Sequence, residues 1–310
     1  MNEENVIISE KKYVTNENKI NDGFGENYKI LIYTLFYCEF NNCEFVYSPF
    51  TQMEHNYDND INYLKKKESL INFIDNFVIN QPNNKAIIIP TFTLLSFYEK
   101  NISLFLQSEC LKTIKRIFRN NKTKINRSVI TPQSITTNIA IHIRRMNQQD
   151  RNRFSENDRH SNKVLPGMDV PNDVYLDILT QLNRIYPNNY YHIYSQGNVS
   201  DFTIFTKNNN IILHLNEDLE KTFTDMVYAD ILIMSPSALS YTAALLSDNV
   251  IYYIQFCNPH LPHWNVIQNY KSSRMKHEFL MNVMQPVLTS VYYVPLTENI
   301  YMSSNDKLLN

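Results

Sequence analysis

Glycine is scarce in this 310-residue chain: there are four, Gly23, Gly25, Gly167 and Gly197. A Walker loop needs two glycines framing a Gly-Lys-Ser/Thr end, and a dinucleotide fingerprint needs a Gly-x-Gly-x-x-Gly run. Neither can be drawn with these four, which excludes P-loop NTPases and the usual NAD or FAD enzymes. Any phosphate must then be held by side chains or by helix ends. Cysteine is equally sparse. Cys38, Cys43, Cys110 and Cys257 contain no Cys-x-x-Cys pair, and their spacing suits neither a zinc ribbon nor a disulfide framework. They read as reduced, mostly buried thiols. Long hydrophobic runs are missing too: no stretch approaches the ~18–20 apolar residues of a membrane span. The first residues, MNEENVIISEKK, are polar and acidic rather than a secretory signal. Surplus charge is also lacking, with 29 Lys and Arg against 31 Asp and Glu for a net −2. That balance argues against bulk attraction to nucleic acid or an anionic membrane. The expectation is a soluble, cytoplasmic protein without a membrane span.

What remains is a foldable sequence, 43% apolar and 19% charged. The length suits one large α/β unit or two lobes of about 150 residues each. Residues 1–19 read as a polar arm or peripheral edge. Asp22-Gly23-Phe24-Gly25 reads as a tight turn, since paired glycines permit positive φ. Tyr28 to Phe40 reads as helix, Glu44–Tyr47 as a strand ending at Pro49, and residues 60–78 as an amphipathic helix. Lys85–Ile89 reads as a buried strand stopped by Pro90, followed by a long helical region over 93–119. After a polar stretch, strands at 138–143, 190–194, 211–215, 230–234 and 250–254 alternate with helices at 173–185, 218–228 and 238–247, with a short helix near 199–205. Such alternation predicts parallel βαβ units covered on both faces. Residues 272–284 read as helix and 291–294 as a last strand. A boundary near residue 137 separates an N-terminal lobe, 20–137, from a C-terminal lobe, 138–310.

In open α/β sheets ligands gather at the carboxyl ends of strands, and three loops there carry polar chemistry. The first is His142-Ile143-Arg144-Arg145. Alternation puts His142 and Arg144 on one face, and guanidinium forks match phosphate oxygens. A salt-bridged surface pair explains the arginines equally well. The second is Met234-Ser235-Pro236-Ser237-Ala238-Leu239-Ser240-Tyr241. Ser235 or Ser237 is a natural N-cap, and the same helix start offers N–H groups and hydroxyls to a phosphate. The third is the Asp22–Gly25 turn, which opens another helix. His260 and His263 have no third ligand at matching spacing, so no metal site is expected. No Gly-x-Ser-x-Gly elbow exists, which disfavours a hydrolase triad. Residues Cys110–Gln149 hold nine Lys/Arg and no Asp/Glu. They form a solvated face, or contact an anionic acceptor or nucleic acid.

Taken in order, these loops make the sequence resemble the fucosyltransferase superfamily, which includes the protein O-fucosyltransferases and the α1,2- and α1,6-fucosyltransferases. The matching pieces are Asp22–Asn27, then Ile141–Arg145, then Thr222–Asp230 running on to Ser235-Pro236-Ser237 and Ser240-Tyr241. The resemblance covers most of residues 20–265. It implies a GT-B-like α/β fold of two Rossmann-like lobes with parallel sheets and an interlobe cleft. The C-terminal lobe would hold the GDP-fucose donor and the N-terminal lobe the acceptor, a glycan or a protein hydroxyl. By the same resemblance Arg144 grips the diphosphate, Arg145 supports the loop and His142 lies near the nucleotide. Ser235 and Ser237 hold the diphosphate from the helix start, and Ser240 belongs to the same donor site. Gly23, Phe24, Gly25, Asn27, Thr222 and Phe223 complete the donor site. The reaction is implied to be inverting single displacement, without metal or other cofactor and without nucleic acid. The family's acid after Arg-Arg is absent, since Met146 and Asn147 follow. Asp22 is therefore the candidate base, with Asp150 and Glu26 as reserves. A different nucleotide-sugar donor and a non-catalytic binding module of the same fold are the alternatives.

Overall fold

The computed structural model describes residues 12–19, 21–56, 58–81, 85–121, 136–145 and 170–267. The segments read as helix at 272–284 and strand at 291–294 lie outside the described residues, as do Asp150 and Gly167.

The chain opens with β1 (Tyr13–Thr15), α1 (Phe24–Phe40), β2 (Glu44–Val46), α2 (Tyr63–Ile71), β3 (Ile87–Ile88), α3 (Thr91–Lys100), α4 (Ile102–Gln107) and α5 (Glu109–Asn120). The three strands form a parallel sheet in the order β2-β1-β3. Part of the segment expected as a peripheral arm is thus the central strand of this sheet, and Val14 is fully buried. Three further expectations need correction. Helix α2 covers only Tyr63–Ile71, because Asn72 takes a left-handed φ of 55° that ends a helix. The apolar spacing beyond it comes from a turn in which Phe73 is buried and Ile74 is exposed. The strand at Ile87–Ile88 is an exposed edge rather than a buried element. The region 93–119 breaks into three helices at Asn101 and Ser108; the Ser108 hydroxyl caps α5 by accepting from the Leu111 amide.

The second part agrees closely with expectation: β4 (Thr137–Ile143), α6 (Asn172–Ile185), β5 (Asn189–Ser195), a 3-10 turn (Val199–Phe202), β6 (Ile211–Leu215), α7 (Leu219–Tyr228), β7 (Ile231–Ile233), α8 (Ala238–Leu246), β8 (Val250–Ile254) and β9 (Asn265–Ile267). All six strands are parallel, in the order β6-β5-β4-β7-β8-β9. The chain enters at the middle, winds outward to β6, returns beside β4 and winds outward the other way to β9. This is the doubly wound Rossmann order, and it reverses between β4 and β7.

Helix α1 ties the two sheets together. Of its 17 residues 13 are buried, so it lacks an exposed polar face. Phe24, Tyr28 and Phe36 share one apolar core with Phe223, Tyr241 and Leu245 from the second part. The ring of Phe24 meets that of Phe223 edge to face at 5.2 Å. Burying such a ring contributes roughly 1.5–3 kcal/mol. Tyrosine hydroxyls then stitch the layers: Tyr98 meets Tyr241 at 3.1 Å, and Tyr241 donates to the Pro259 carbonyl at 2.6 Å. On the other face of the large sheet, Ile139, Ile141 and Ile143 pack with Val174, Ile178 and Leu182 of α6.

Candidate functional site

The reversal point sets the site. Strand β4 lies between β5 and β7, in register with both. Its odd-numbered isoleucines face α6, so Ala140 and His142 face the side on which α1, α7 and α8 pack. His142 is 8% exposed, and its Nδ1 hydrogen-bonds the Ser235 hydroxyl at 2.9 Å across the β4–β7 boundary. Burial pushes the imidazole down to about 3, and the positive charge of Arg144 adds to the shift. His142 is therefore a neutral ring, and Arg144 sits close enough for its charge to be felt there. Arg144 itself is half-buried at the end of the strand.

The serine loop folds around helix α8. Ser237 is its N-cap, accepting from the Leu239 amide at 3.3 Å, and its own amide donates to the Ser235 carbonyl at 2.7 Å. The Ser240 hydroxyl turns back to the carbonyls of Ser235 at 3.1 Å and Ser237 at 3.4 Å. All three serines are buried. Their hydroxyls order the loop, and the start of α8, with its positive dipole end, is held beside His142.

The third loop comes to the same place for a different reason from the one its glycines suggested. Gly23 has a φ of −81°, and Gly25 lies inside α1, so neither supplies a positive φ. A Cβ on Gly25 would lie 2.4 Å from the Leu239 amide nitrogen and 2.5 Å from its Cα. Glycine is required because the first turn of α1 is seated directly on the first turn of α8. Thr242 locks the contact by donating to the Gly25 carbonyl at 2.9 Å. A Cβ on Gly23 would meet the His55 ring. Asn27 is likewise a clasp: its amide group binds the backbone of Lys19, Asp22 and Gly23.

The other candidates divide. Arg145 turns away from His142. It donates to the carbonyls of Arg144 and Val170, each at 3.1 Å, and to Asn172, with its guanidinium over the Phe202 ring. It fastens the end of β4 to the start of α6. Phe24 and Phe223 are 1% and 0% exposed and belong to the core, so their side chains form no wall for a ligand. Thr222 is half-buried on α7. Asp22 is half-buried just before α1. Glu26 is engaged by Lys29 at 2.8 Å, and that buried lysine also donates to Asn258 at 3.0 Å. Among the described residues no group of three His, Cys, Asp or Glu side chains is placed to hold a metal ion, and no helix is long and apolar enough to cross a membrane.

Sequence reasoning missed a buried polar chain on the same face of the sheet. His192 Nδ1 lies 3.1 Å from His214 Nε2, and His214 Nδ1 lies 2.9 Å from Glu217. Tyr194 stacks on His214 and donates to Asp225 at 2.8 Å. Polar residues at every second position of an otherwise apolar strand, His192 and Tyr194, were the available signal.

No known protein family and no curated protein matches the chain. Solved structures of fucosyltransferases do. The fucosyltransferase NodZ from Bradyrhizobium aligns at 10% identity over 81% of this chain and 97% of its own, with a TM-score of 0.40. NodZ α-1,6-fucosyltransferase co-crystallised with GDP aligns at 9% identity over 77% and 93%, TM-score 0.38. The same enzyme soaked with GDP-fucose aligns at 9% over 76% and 93%, also at 0.38. Values this low carry no function across, and what the site does is read from its own residues.

Proposed function

We propose that the protein is a glycosyltransferase that transfers fucose from GDP-fucose to a hydroxyl of a glycan or protein, with inversion and without a metal. The observation that carries this reading is the 2.9 Å bond from His142 to Ser235. It pins the Arg144 end of β4 to the α8 start at the switch point, where doubly wound sheets bind ligands. A guanidinium brought beside a helix N-terminus would suit a diphosphate. The motif resemblance over Asp22–Asn27, Ile141–Arg145 and Thr222–Ser240 supplies the donor. In the proposed step the acceptor oxygen bonds to the anomeric carbon as the bond from that carbon to the β-phosphate oxygen breaks. The acceptor proton passes to a carboxylate, for which Asp22 is the candidate, and GDP departs with the bonding pair. Arg144 and the α8 dipole would stabilise that growing charge. Neutral His142 adds no charge of its own and orients the serine loop. The N-terminal part would present the acceptor.

Calorimetry with GDP tests the reading. Wild type binds with micromolar affinity and Arg144→Ala loses most of it, whereas Arg145→Ala weakens binding less because Arg145 acts through the loop. Equal GDP binding by wild type and Arg144→Ala refutes the assignment. GDP released from GDP-fucose separates a transferase from a binding module, and a panel of UDP- and dTDP-sugars tests the donor.

A further inference from the structure

Helix α5 carries a basic face that the switch-point site does not use. It buries Cys110, Leu111, Ile114, Ile117 and Phe118. Lys112, Lys115, Arg116 and Arg119 are linked by three- and four-residue spacings (112/115, 112/116, 115/119 and 116/119), which makes them neighbours on one stripe. Between this stripe and the end of α8 lies an open cavity of about 410 Å³, which these four residues line together with Leu106, Leu111, Asn120 and Asp248.

The charges in this groove do not cancel. Lys115 pairs with Asp248 at 2.7 Å and donates to the Ser247 carbonyl at 2.9 Å, and Arg119 pairs with the other Asp248 oxygen. Lys112 pairs with the exposed Glu109 at 2.7 Å. Four cations thus face two carboxylates, a surplus of two positive charges on a chain whose net charge is −2. Burial holds Lys115 down to about 8, with the Arg119 charge contributing. His263, whose ring feels Lys115, is lowered as well, by burial first. A concave surface with a surplus of one sign of charge raises the local concentration of ions of the other sign.

We propose that this groove binds a phosphate-bearing ligand with at least two negative charges. Two guanidinium groups give paired donors that match phosphate oxygens, and two ammonium groups add point charges. A lone carboxylate is already supplied by Asp248 and leaves the surplus standing. The volume falls within the range of small-ligand sites, roughly 300–1,000 Å³. The groove is separate from the switch point: Ser237 caps the start of α8 and Asp248 lies just beyond its end, about 13 Å along a helix of nine residues.

Inorganic pyrophosphate is the probe for a free ligand, titrated into the full chain by calorimetry. Vesicles of phosphatidylcholine with one-fifth phosphatidic acid are the probe for a lipid headgroup, compared with pure phosphatidylcholine in a sedimentation assay. Arg116→Gln and Lys112→Gln, both at exposed positions, weaken the binding about tenfold with unchanged melting temperature. Both assays are made in the Arg144→Ala background, which removes the proposed switch-point diphosphate site, so that the groove alone is read. In the pyrophosphate case the NMR titration midpoint of the Lys115 side chain rises when the ligand saturates. Pyrophosphate binding identifies a free phosphate ligand, and retention on the anionic vesicles alone identifies a headgroup. Binding to neither probe, or binding that Arg116→Gln leaves intact in that background, overturns the proposal.

Discussion

The imidazole of His142, at the end of β4, and the hydroxyl of Ser235, just past β7, meet at 2.9 Å with both residues buried. They stand 93 positions apart in sequence, and the bond lies at the β4–β7 pair, where the winding direction of the large sheet reverses. It ties the end of the arginine-bearing strand to the serine loop that opens α8.

Removing that hydroxyl should be felt. Ser235→Ala leaves a buried ring nitrogen without its partner, which costs about 1–3 kcal/mol. Chemical denaturation should show the loss as a lower midpoint at unchanged slope. If the midpoint stays put, the bond does not organise the loop.

Acid should weaken the fold in a defined window. Burial holds His142 near 3 and His192 near 4, both below the ordinary value of 6.5. Between those limits the unfolded chain binds protons that the folded chain does not. The contribution of each histidine is complete above 6.5 and lost as pH falls toward its folded value, at about 1.4 kcal/mol per group per pH unit. Denaturation between pH 7 and 5 should show stability falling, and His142→Asn should flatten the slope. An unchanged slope in that variant would show that His142 stays solvated.

The two glycines of the third loop should differ sharply. Gly25→Ala drives a methyl into the Leu239 backbone at 2.4 Å, and neither helix yields easily. Overpacking of this kind costs typically 1–3 kcal/mol. Gly23→Ala meets only the His55 ring at 2.5 Å, which can swing aside. Equal thermal shifts for the two variants would contradict the close seating of α1 on α8.

Lys67 and Glu220 join α2 to α7 at 2.6 Å, with side-chain exposures of 3% and 18%. Breaking such a pair hurts most when the deeper charge is left behind. Glu220→Ala strands Lys67 and should cost about 3–5 kcal/mol. Lys67→Met leaves a carboxylate that water reaches, and should cost less. The reverse order in unfolding experiments would mean that Lys67 is rehydrated in the variant.

Much of the second part was readable because its strands are short apolar runs bounded by polar turns. Ile139–Ile143, Ile211–Leu215 and Val250–Ile254 appear within about a residue of their expected places. The first part was harder. Helix α1 was expected from Tyr28 and begins at Phe24, while its neighbours α3, α4 and α5 are separated by single caps at Asn101 and Ser108 rather than by glycine or proline. Strand β1 is three residues inside a polar stretch, and its central position depends on partners at Glu44–Val46 and Ile87–Ile88. Such pairing leaves no local mark. In the candidate site His142, Arg144 and the serines could be picked out, because polar groups at the end of apolar strands stand out. The roles of Gly25, Asn27 and Arg145 could not, since each is defined by what it touches.

The chain by itself determined that no glycine cradle holds a phosphate, and that parallel βαβ units follow the first lobe, as the described strands from Thr137 to Ile267 show. Periodicity and composition are local properties, and they suffice for that. Only the tertiary structure decided which loops meet. Strand order sets the switch point between β4 and β7, and the close approach of two helix starts fixes what Gly25 is for. Contacts between residues far apart along the chain arise from how whole layers pack, and no stretch of sequence encodes them alone.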